Sequence, residues 1–445
     1  MKTSADSSRN PKGFKRTFRA LRYRNYRLFF TGQLISLIGT WMQQIAMIWL
    51  VYRLTHSAFL LGLVGFSGQM PTFLVSPFAG VLADRLNRHR IIIATQTLAM
   101  IQATVLAILT LTGSITVVHI VLLSIFMGLI NAFDIPTRQS FILEMIENKE
   151  DLGNAIALNS SMFNSARLLG PSIAGIVIAA IGEGMCFLVN AVSFIAVIIA
   201  LLAMRIPPRE RPPQSQGVLH GFKEGFKYAF GFVPIRYILL LLALVSLMGM
   251  PYAVLMPIFA KDILHGGPQT LGFLMGATGI GALTGAMTLA SRKSIAGLSG
   301  WIPRAASLFG VGLIAFSLSR SIWLSIVLLF FVGFGMMVQM ASSNSILQTI
   351  SDDDKRGRVM SFYTMAFMGM TPFGSLYAGS LASQIGAPYT LTLSGIACIL
   401  GALAFTRKLP LLREKIRPIY MKIGIIPEVS SAIQSATQLT TPPED

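Results

Sequence analysis

The stretch 184–204, GMCFLVNAVSFIAVIIALLAM, has no charged residue over 21 positions. Wound as an α-helix at about 1.5 Å per residue, it covers roughly 30 Å, the thickness of a bilayer's hydrocarbon core. An unbroken apolar run of that length reads as a membrane span, and the sequence on either side repeats the pattern.

Upstream, apolar runs fall near 28–52, 60–83, 91–112, 117–136 and 152–180. Downstream comes a charged, proline-bearing stretch, RIPPRERPPQSQ (205–216), and then runs near 236–262, 271–291, 301–319, 322–345, 357–384 and 387–406. The sequence therefore predicts an all-α integral membrane protein with twelve transmembrane helices. They divide into an N-terminal bundle (28–204) and a C-terminal bundle (236–406), with a tail at 1–27, a central loop at 205–235 and a second tail at 407–445.

Composition agrees. Of the 445 residues, 53% are hydrophobic and 12% charged, where a soluble chain carries about 25% charge. A soluble enzyme is excluded. The net charge of +18 suggests nucleic acid until its placement is read. With the N-terminus inside, 32 of the 36 Lys and Arg fall in or beside inward segments, three (Arg53, Lys261, Arg320) outside, and Arg167 within a span. Cytoplasmic loops carry the basic excess, so the charge is a topology signal: both tails and the central loop are expected in the cytoplasm, and no nucleic-acid partner is expected. The basic lead precedes an apolar run too long for a cleavable signal, so the first helix reads as its own insertion signal. Cys186 and Cys398 lie within apolar runs as packing residues. No cofactor or metal site is expected. No phosphate-binding GxxxxGK[ST] occurs, and GATGIGALTG (276–285) lies inside an apolar span, where it reads as helix packing.

A shift of 204 residues aligns 140–182 with 344–386 without a gap, and ten of 43 positions match. They include Gly153/Gly357, Gly170/Gly374, Gly175/Gly379 and Gly182/Gly386; roughly three or four matches are expected by chance. The chain thus reads as a parallel duplication, a transporter architecture in which substrate binds near mid-membrane at the repeat interface.

Between the second and third spans stands GVLADRLNRHR, Gly80 to Arg90. This resembles the signature cytoplasmic loop of the major facilitator superfamily, with Asn87 where glycine is usual and His89 where a basic residue is common. The resemblance implies an inner gate of Gly80, Asp84, Arg85 and Arg88, with Asp84 facing the start of helix 11 at Gly357. Three more segments, RNYRLFFTGQLISLIGTWMQ (24–43), DIPTRQSFILEMIE (134–147) leading to NAIALNSSMFNSARLLGPSIAG (154–175), and RGRVMSFY (356–363), are similar to the branch that includes the enterobactin exporter and macrolide-efflux proteins. Gly170, Pro171 and Gly175 resemble the helix-5 antiporter motif of that superfamily, with Ala174 where a second glycine is usual; ordinary helix packing is the competing reading.

Ionisable groups inside a membrane are costly and mark function. Arg167 lies within helix 5, and Asp134 and Arg138 at the inner end of helix 4. Arg167 and Asp134 at similar depth make either a structural ion pair or a site for protons or an anionic substrate; Asp134 leads for proton coupling. His119 reads as an interfacial residue. No acidic residue occupies the middle of helices 1, 2, 5, 7, 8, 10 or 11, which does not support recognition of cationic drugs. In the superfamily helices 1, 4, 7 and 10 line the cavity. The resemblance places there Gln33, Thr40, Trp41 and Gln44 (helix 1), Asn131 (helix 4), Met248, Tyr252 and Met256 (helix 7), and Met336, Gln339 and Ser343 (helix 10). Amide, aromatic and thioether groups suit a sizeable amphipathic ligand.

The expected function is secondary transport by alternating access, a proton-coupled exporter of an amphipathic small molecule such as a siderophore or macrolide, monomeric among the lipids of a bacterial inner membrane. A lysophospholipid-type lipid transporter and a non-transporting sensor with the same fold are the alternatives.

Overall fold

The computed structural model describes residues 18–205, 218–292, 294–423 and 425. Among them there is no strand. The first six spans are α1 (Arg24–Thr55), α2 (Ala58–Arg85), α3 (Arg88–Leu111), α4 (Val117–Met145), α5 (Leu152–Ile181) and α6 (Glu183–Leu202). After a short helix in the central loop (Val218–Gly231) come α7 (Val233–Ile263), α8 (Pro268–Ala290), α9 (Leu298–Leu318), α10 (Ile322–Ile350) and α12 (Ala387–Lys422). These eleven spans are long and apolar enough to cross a bilayer. The twelfth, α11, is assembled from Arg356–Thr364, a π-turn at Met365–Gly369 and Thr371–Ile385, pieces each too short to cross alone.

Two helices outrun their expected ends. α4 continues past Pro136 to Met145. Pro136 has no N–H for Ala132 O, and one residue on the Thr137 hydroxyl donates to Phe133 O at 2.6 Å. α12 does not stop near 406 but runs on to Lys422, burying Leu412, Ile416 and Tyr420 at helical spacing. That extension packs near the start of α9, where Arg413 lies beside Gly300. As far as Lys422 it continues the last span rather than forming a tail.

The repeat is visible in the backbone. α5 and α11 begin at 152 and 356 and end at 181 and 385, both pairs 204 apart. Gly182 and Gly386 close them at φ +85° and +86°, a left-handed conformation that glycine adopts without strain. Their N–H groups bond Ile178 O and Ala382 O.

The chain divides into two compact units, 1–47 with 71–212 and 48–70 with 213–445. Residues 48–70, which the repeat assigns to the first half, thus belong to the second unit.

The first unit has an aromatic and aliphatic core where its helices meet at their basic ends. Tyr26 and Phe29 of α1, Ile92 of α3, Phe141 of α4, Leu158 of α5 and Phe194 of α6 are all buried in it. Phe29 meets Phe141 edge-on at 6.3 Å, and the Tyr26 hydroxyl donates to Ala155 O at 2.7 Å. Lipid competes with any apolar contact, so polar links matter more than area. One link is a chain of amides. Asn190 donates to Gln43 at 2.8 Å, Gln43 to Gln102 at 2.9 Å, and Gln102 to Leu123 O at 3.3 Å, tying α6, α1, α3 and α4 in sequence. A second strap lies before α1, where Arg19, Arg22 and Tyr23 all converge on Asp151 at the start of α5. Arg22 is 2.5 Å and the Tyr23 hydroxyl 2.8 Å from its carboxylate. The Tyr23 hydroxyl and Asp151 raise the Arg22 pKa above its ordinary value.

The second unit brings backbones together through glycine. A Cβ on Gly281 would lie 1.9 Å from Phe330 O, and one on Gly333 2.0 Å from Thr278 O, so α8 and α10 touch main chain to main chain. Gly62 of α2 meets Gly379 of α11 in the same way. α7 has two π-turns, Val245–Gly249 and Phe259–Ile263. The first is stapled to the π-turn of α11, with the Ser246 hydroxyl donating to Phe367 O and lying 3.3 Å from the Thr371 hydroxyl. The central-loop helix sits on the start of α11, stacking Phe226 and Phe230 beside Phe362.

Candidate functional site

The titratable groups within the membrane concentrate in the first unit. Because α4 extends to Met145, Asp134 lies about 16 Å from its inner end rather than at the end itself. Its side chain is nearly fully buried (4% exposed). Thr95 Oγ1 and Gln96 Nε2 of α3 each donate to it at 2.9 Å, and Arg138, one turn along α4, pairs with it at 3.2 Å. A buried carboxylate in a spanning bundle requires a counter-charge and donors, and this one has both. Of the two readings of Arg167 and Asp134, the ion pair between them is not formed: the ion partner of Asp134 is its helical neighbour Arg138.

Arg167 instead stands half-buried midway along α5, its guanidinium 5.9 Å from the ring centre of Trp41. Trp41 in turn meets Phe163 edge-on at 5.7 Å. Gly170 makes this arrangement possible, because a Cβ there would come within 2.4 Å of Trp41 Cβ and 3.2 Å of Ile38 O. The helix-5 glycine thus packs α5 directly on α1. Pro171, buried one residue on, has no N–H for the carbonyl four residues back, that of Arg167. Gly175 is buried on the same helix.

In the loop between α2 and α3, Asn87 caps α3, its side chain accepting from the Arg90 N–H at 3.2 Å. That accounts for asparagine where glycine is usual: the position serves as an N-cap. Arg88 pairs with Glu144 of α4 at 2.9 Å. His89 stacks on Phe141 and its ring nitrogen lies 2.8 Å from Leu201 O. Gly80 has open space around it, and Gly357 is exposed in the first turn of α11. The side chains of Asp84 and Arg85 lie outside the described residues. On the opposite side, His119 forms a capping box with Thr116 at the start of α4.

The residues named for the cavity separate into two groups. Gln44 is exposed, and Thr40, Trp41, Asn131 and Met248 are partly so. Gln33, Tyr252, Met256, Met336, Gln339 and Ser343 are buried to within 3%, and Tyr252 packs edge-on against Phe309. In this structure the second group faces helix packing rather than open space.

Sequence reasoning missed three features. Gln43, one residue from the singled-out Gln44, is the buried member of the amide chain; amides at 102 and 190 inside otherwise apolar runs were the available signal. The hydroxyl of Tyr52 on α1 donates to Asp262 of α7, with Lys261 over the same ring at 5.9 Å. Asp151, not among the sequence candidates, holds Arg19, Arg22 and Tyr23 ahead of α1.

Comparison with known proteins follows the same lines. A family model described as transmembrane secretion effector matches residues 15–421. The chain is similar to the staphyloferrin A transporter of Staphylococcus aureus, 25% identical and covering 87% of this chain and 98% of that protein. It is 28% identical to the multidrug efflux pump Tap of Mycolicibacterium fortuitum, over 84% and 93% of the two chains. With macrolide efflux protein A of Streptococcus pyogenes it shares 24% identity over 85% and 96%. Among solved structures, a bacterial homologue of the human lysosomal transporter Spinster, inward-facing and unoccupied, superposes with a TM-score of 0.71 at 14% identity, covering 88% of this chain and 98% of that one; this likeness speaks for the fold.

Proposed function

Since this chain belongs to the transmembrane secretion effector family, within the major facilitator superfamily, we propose that it exports an amphipathic small molecule by alternating access driven by protons. As a member it is a multi-pass membrane transporter of small molecules and not an enzyme. The finer reading rests on its relatives, named for staphyloferrin A, for multiple drugs and for macrolides, which it matches over nearly their whole length. A siderophore-, macrolide- or drug-like cargo follows from that likeness.

The observation that carries proton coupling is Asp134, a carboxylate buried among spanning helices and held by Arg138, Thr95 and Gln96. Protonation of Asp134 cancels the charge that Arg138 balances and redirects both donors, so it changes the packing of α3 on α4. A proton arriving there is a change in helix contacts, which an alternating-access cycle requires. Asp84, Arg85 and Arg88, with Gly80 and Gly357, act as the inner gate in this reading, and Gly170, Pro171 and Gly175 let α5 bend as the cycle turns. In this reading both termini lie on the cytoplasmic side of a bacterial inner membrane, which the basic excess of the inward segments supports, and the protein works as a monomer among its lipids.

Uptake into inside-out vesicles under an imposed acid-inside gradient, across siderophores, macrolides and dyes, tests the proposal. Gradient-dependent accumulation of any member is expected; correctly inserted protein that accumulates none would contradict it.

A further inference from the structure

We infer that a cleft at the basic end of the first unit binds a phospholipid headgroup of the phosphatidylglycerol type, a phosphodiester with one negative charge and free hydroxyls. The cleft measures about 910 Å³ and is lined by Arg22, Tyr23, Arg24, Glu147 and Asn148, a size usual for a ligand site. It lies between the lead into α1 and the turn joining α4 to α5. Its depth suits a lipid head. Arg24 precedes the apolar run at Leu28 by four residues, about 6 Å of helix, and Glu147 follows the exposed Leu143 by four. The headgroup layer is about 5–7 Å thick on each side of the hydrocarbon, so both residues fall within it.

The charges at the cleft are unbalanced by one. Arg19, Arg22 and Arg24 stand with two carboxylates, Asp151 and Glu147, and Asp151 is shared by Arg19 and Arg22. Among the described residues neither Arg24 nor Glu147 has a side-chain partner, and both are exposed. The hydrogen bonds of Arg22 to Tyr23 and Asp151 both leave from Nη2. The rest of its planar fork is left to the cleft, and phosphate oxygens match such a fork. One phosphodiester, accepting from Arg22 and Arg24, therefore restores neutrality. A carboxylate in the same cleft repels a second phosphate but accepts from hydroxyls. Glu147 thus meets the glycerol end of the head, beside Asn148, whose side-chain oxygen accepts from the Glu150 N–H at 3.0 Å and whose amide donors remain. A zwitterionic head leaves the surplus positive charge in place, and a head without hydroxyls leaves Glu147 without a donor.

The test titrates the purified full chain in detergent with phosphatidylglycerol, phosphatidylmethanol, phosphatidylethanolamine and phosphatidylcholine of equal acyl chains, with bound lipid counted by native mass spectrometry. Phosphatidylglycerol is expected to bind at least about tenfold more tightly than the two zwitterionic lipids, each arginine contributing about fivefold. Arg24→Gln lowers that preference about fivefold at unchanged thermal stability, since its side chain supports no described contact. Arg27→Gln, which removes an exposed charge outside the cleft, leaves the preference unchanged. Glu147→Ala abolishes the advantage of phosphatidylglycerol over phosphatidylmethanol, which shares the phosphodiester and lacks the hydroxyls. Equal loss in Arg27→Gln would mean diffuse surface attraction and overturn the site, as would a preference that survives Arg24→Gln or tighter binding of phosphatidylethanolamine. Glycerophosphoglycerol, the same head without acyl chains, is expected to compete only weakly; competition at the lipid's own affinity would overturn the lipid assignment in favour of a soluble phosphodiester.

Discussion

Helices α5 and α11 descend from one sequence and keep the same length, the same ends and the same closing glycine, yet they have diverged in opposite directions. The first half carries charge within its spans: α5 has Arg167 where α11 has Thr371, and Asp134 and Arg138 lie on the preceding α4, outside the aligned stretch. The second-half segment has irregular backbone, a π-turn at Met365–Gly369 where α5 runs unbroken. Thr371, the counterpart of Arg167, sits beside the Ser246 staple between two π-turns. π-turns concentrate at functional sites because they widen a helix and free backbone groups. One half has specialised in electrostatics and the other in backbone adaptability, on a shared frame.

The equivalent glycines test that frame. Gly374→Ala places a Cβ 2.3 Å from Leu247 O and 2.7 Å from Pro251, whereas Gly170→Ala meets Trp41 Cβ at 2.4 Å. Both are overpacked and should cost about 1–3 kcal/mol or more. The larger fall in thermal unfolding temperature is expected for Gly374→Ala, because a carbonyl on a neighbouring helix yields less readily than a side chain. The reverse order would break the view that the second half is the more tightly fixed by backbone contacts.

Position 151 and its counterpart Lys355 come next. Asp151, with its side chain 1% exposed, holds both Arg19 and Arg22, whereas Lys355 lies 3.9 Å from an exposed Asp352. Asp151→Ala should destabilise the first unit by roughly 1–3 kcal/mol, reduced from the fully buried case by the exposure of the arginines. Faster tryptic cleavage at 19–22 reads the effect directly. Lys355→Ala should cost under about 0.5 kcal/mol. Equal sensitivity at the two positions would remove the electrostatic asymmetry.

Ser246→Ala is the gentlest of the set, removing one hydrogen bond for about 1 kcal/mol locally. Amide exchange should quicken across 365–371 and stay unchanged at the equivalent 161–167. Exchange that quickens equally in both helices would mean that the staple does not act on the π-turn.

The frame was legible in the sequence because length, apolarity and glycine spacing are local properties. Twelve runs and one shift of 204 gave the helices and the repeat, although α4 and α12 run nine and sixteen residues past their expected ends. The partners of charged groups were less legible. Pro136 and the charges around it suggest a helix end, which sets Asp134 at the inner end of helix 4 with Arg167 as one of its two readings; once the helix continues, Arg138 lies one turn away. Which face of a uniformly apolar helix points inward is not encoded in its periodicity, which is why Gln44 was chosen and the buried Gln43 was not. The π-turns left a fainter trace, Pro251 and Pro372 shortly after two of them. The contact of Tyr52 with Asp262 spans 210 residues, and nothing in either local sequence announces it.

The central claim is that protons drive transport through the first-half carboxylate. Its most direct test is purified protein in liposomes with a trapped pH-sensitive dye, in which a transported substrate from the vesicle panel is added outside and the opposing movement of protons out of the liposomes is followed. The account predicts substrate-dependent proton flux in the wild type and its loss in Asp134→Asn, with downhill substrate exchange retained. Substrate-driven proton flux undiminished in Asp134→Asn would contradict it.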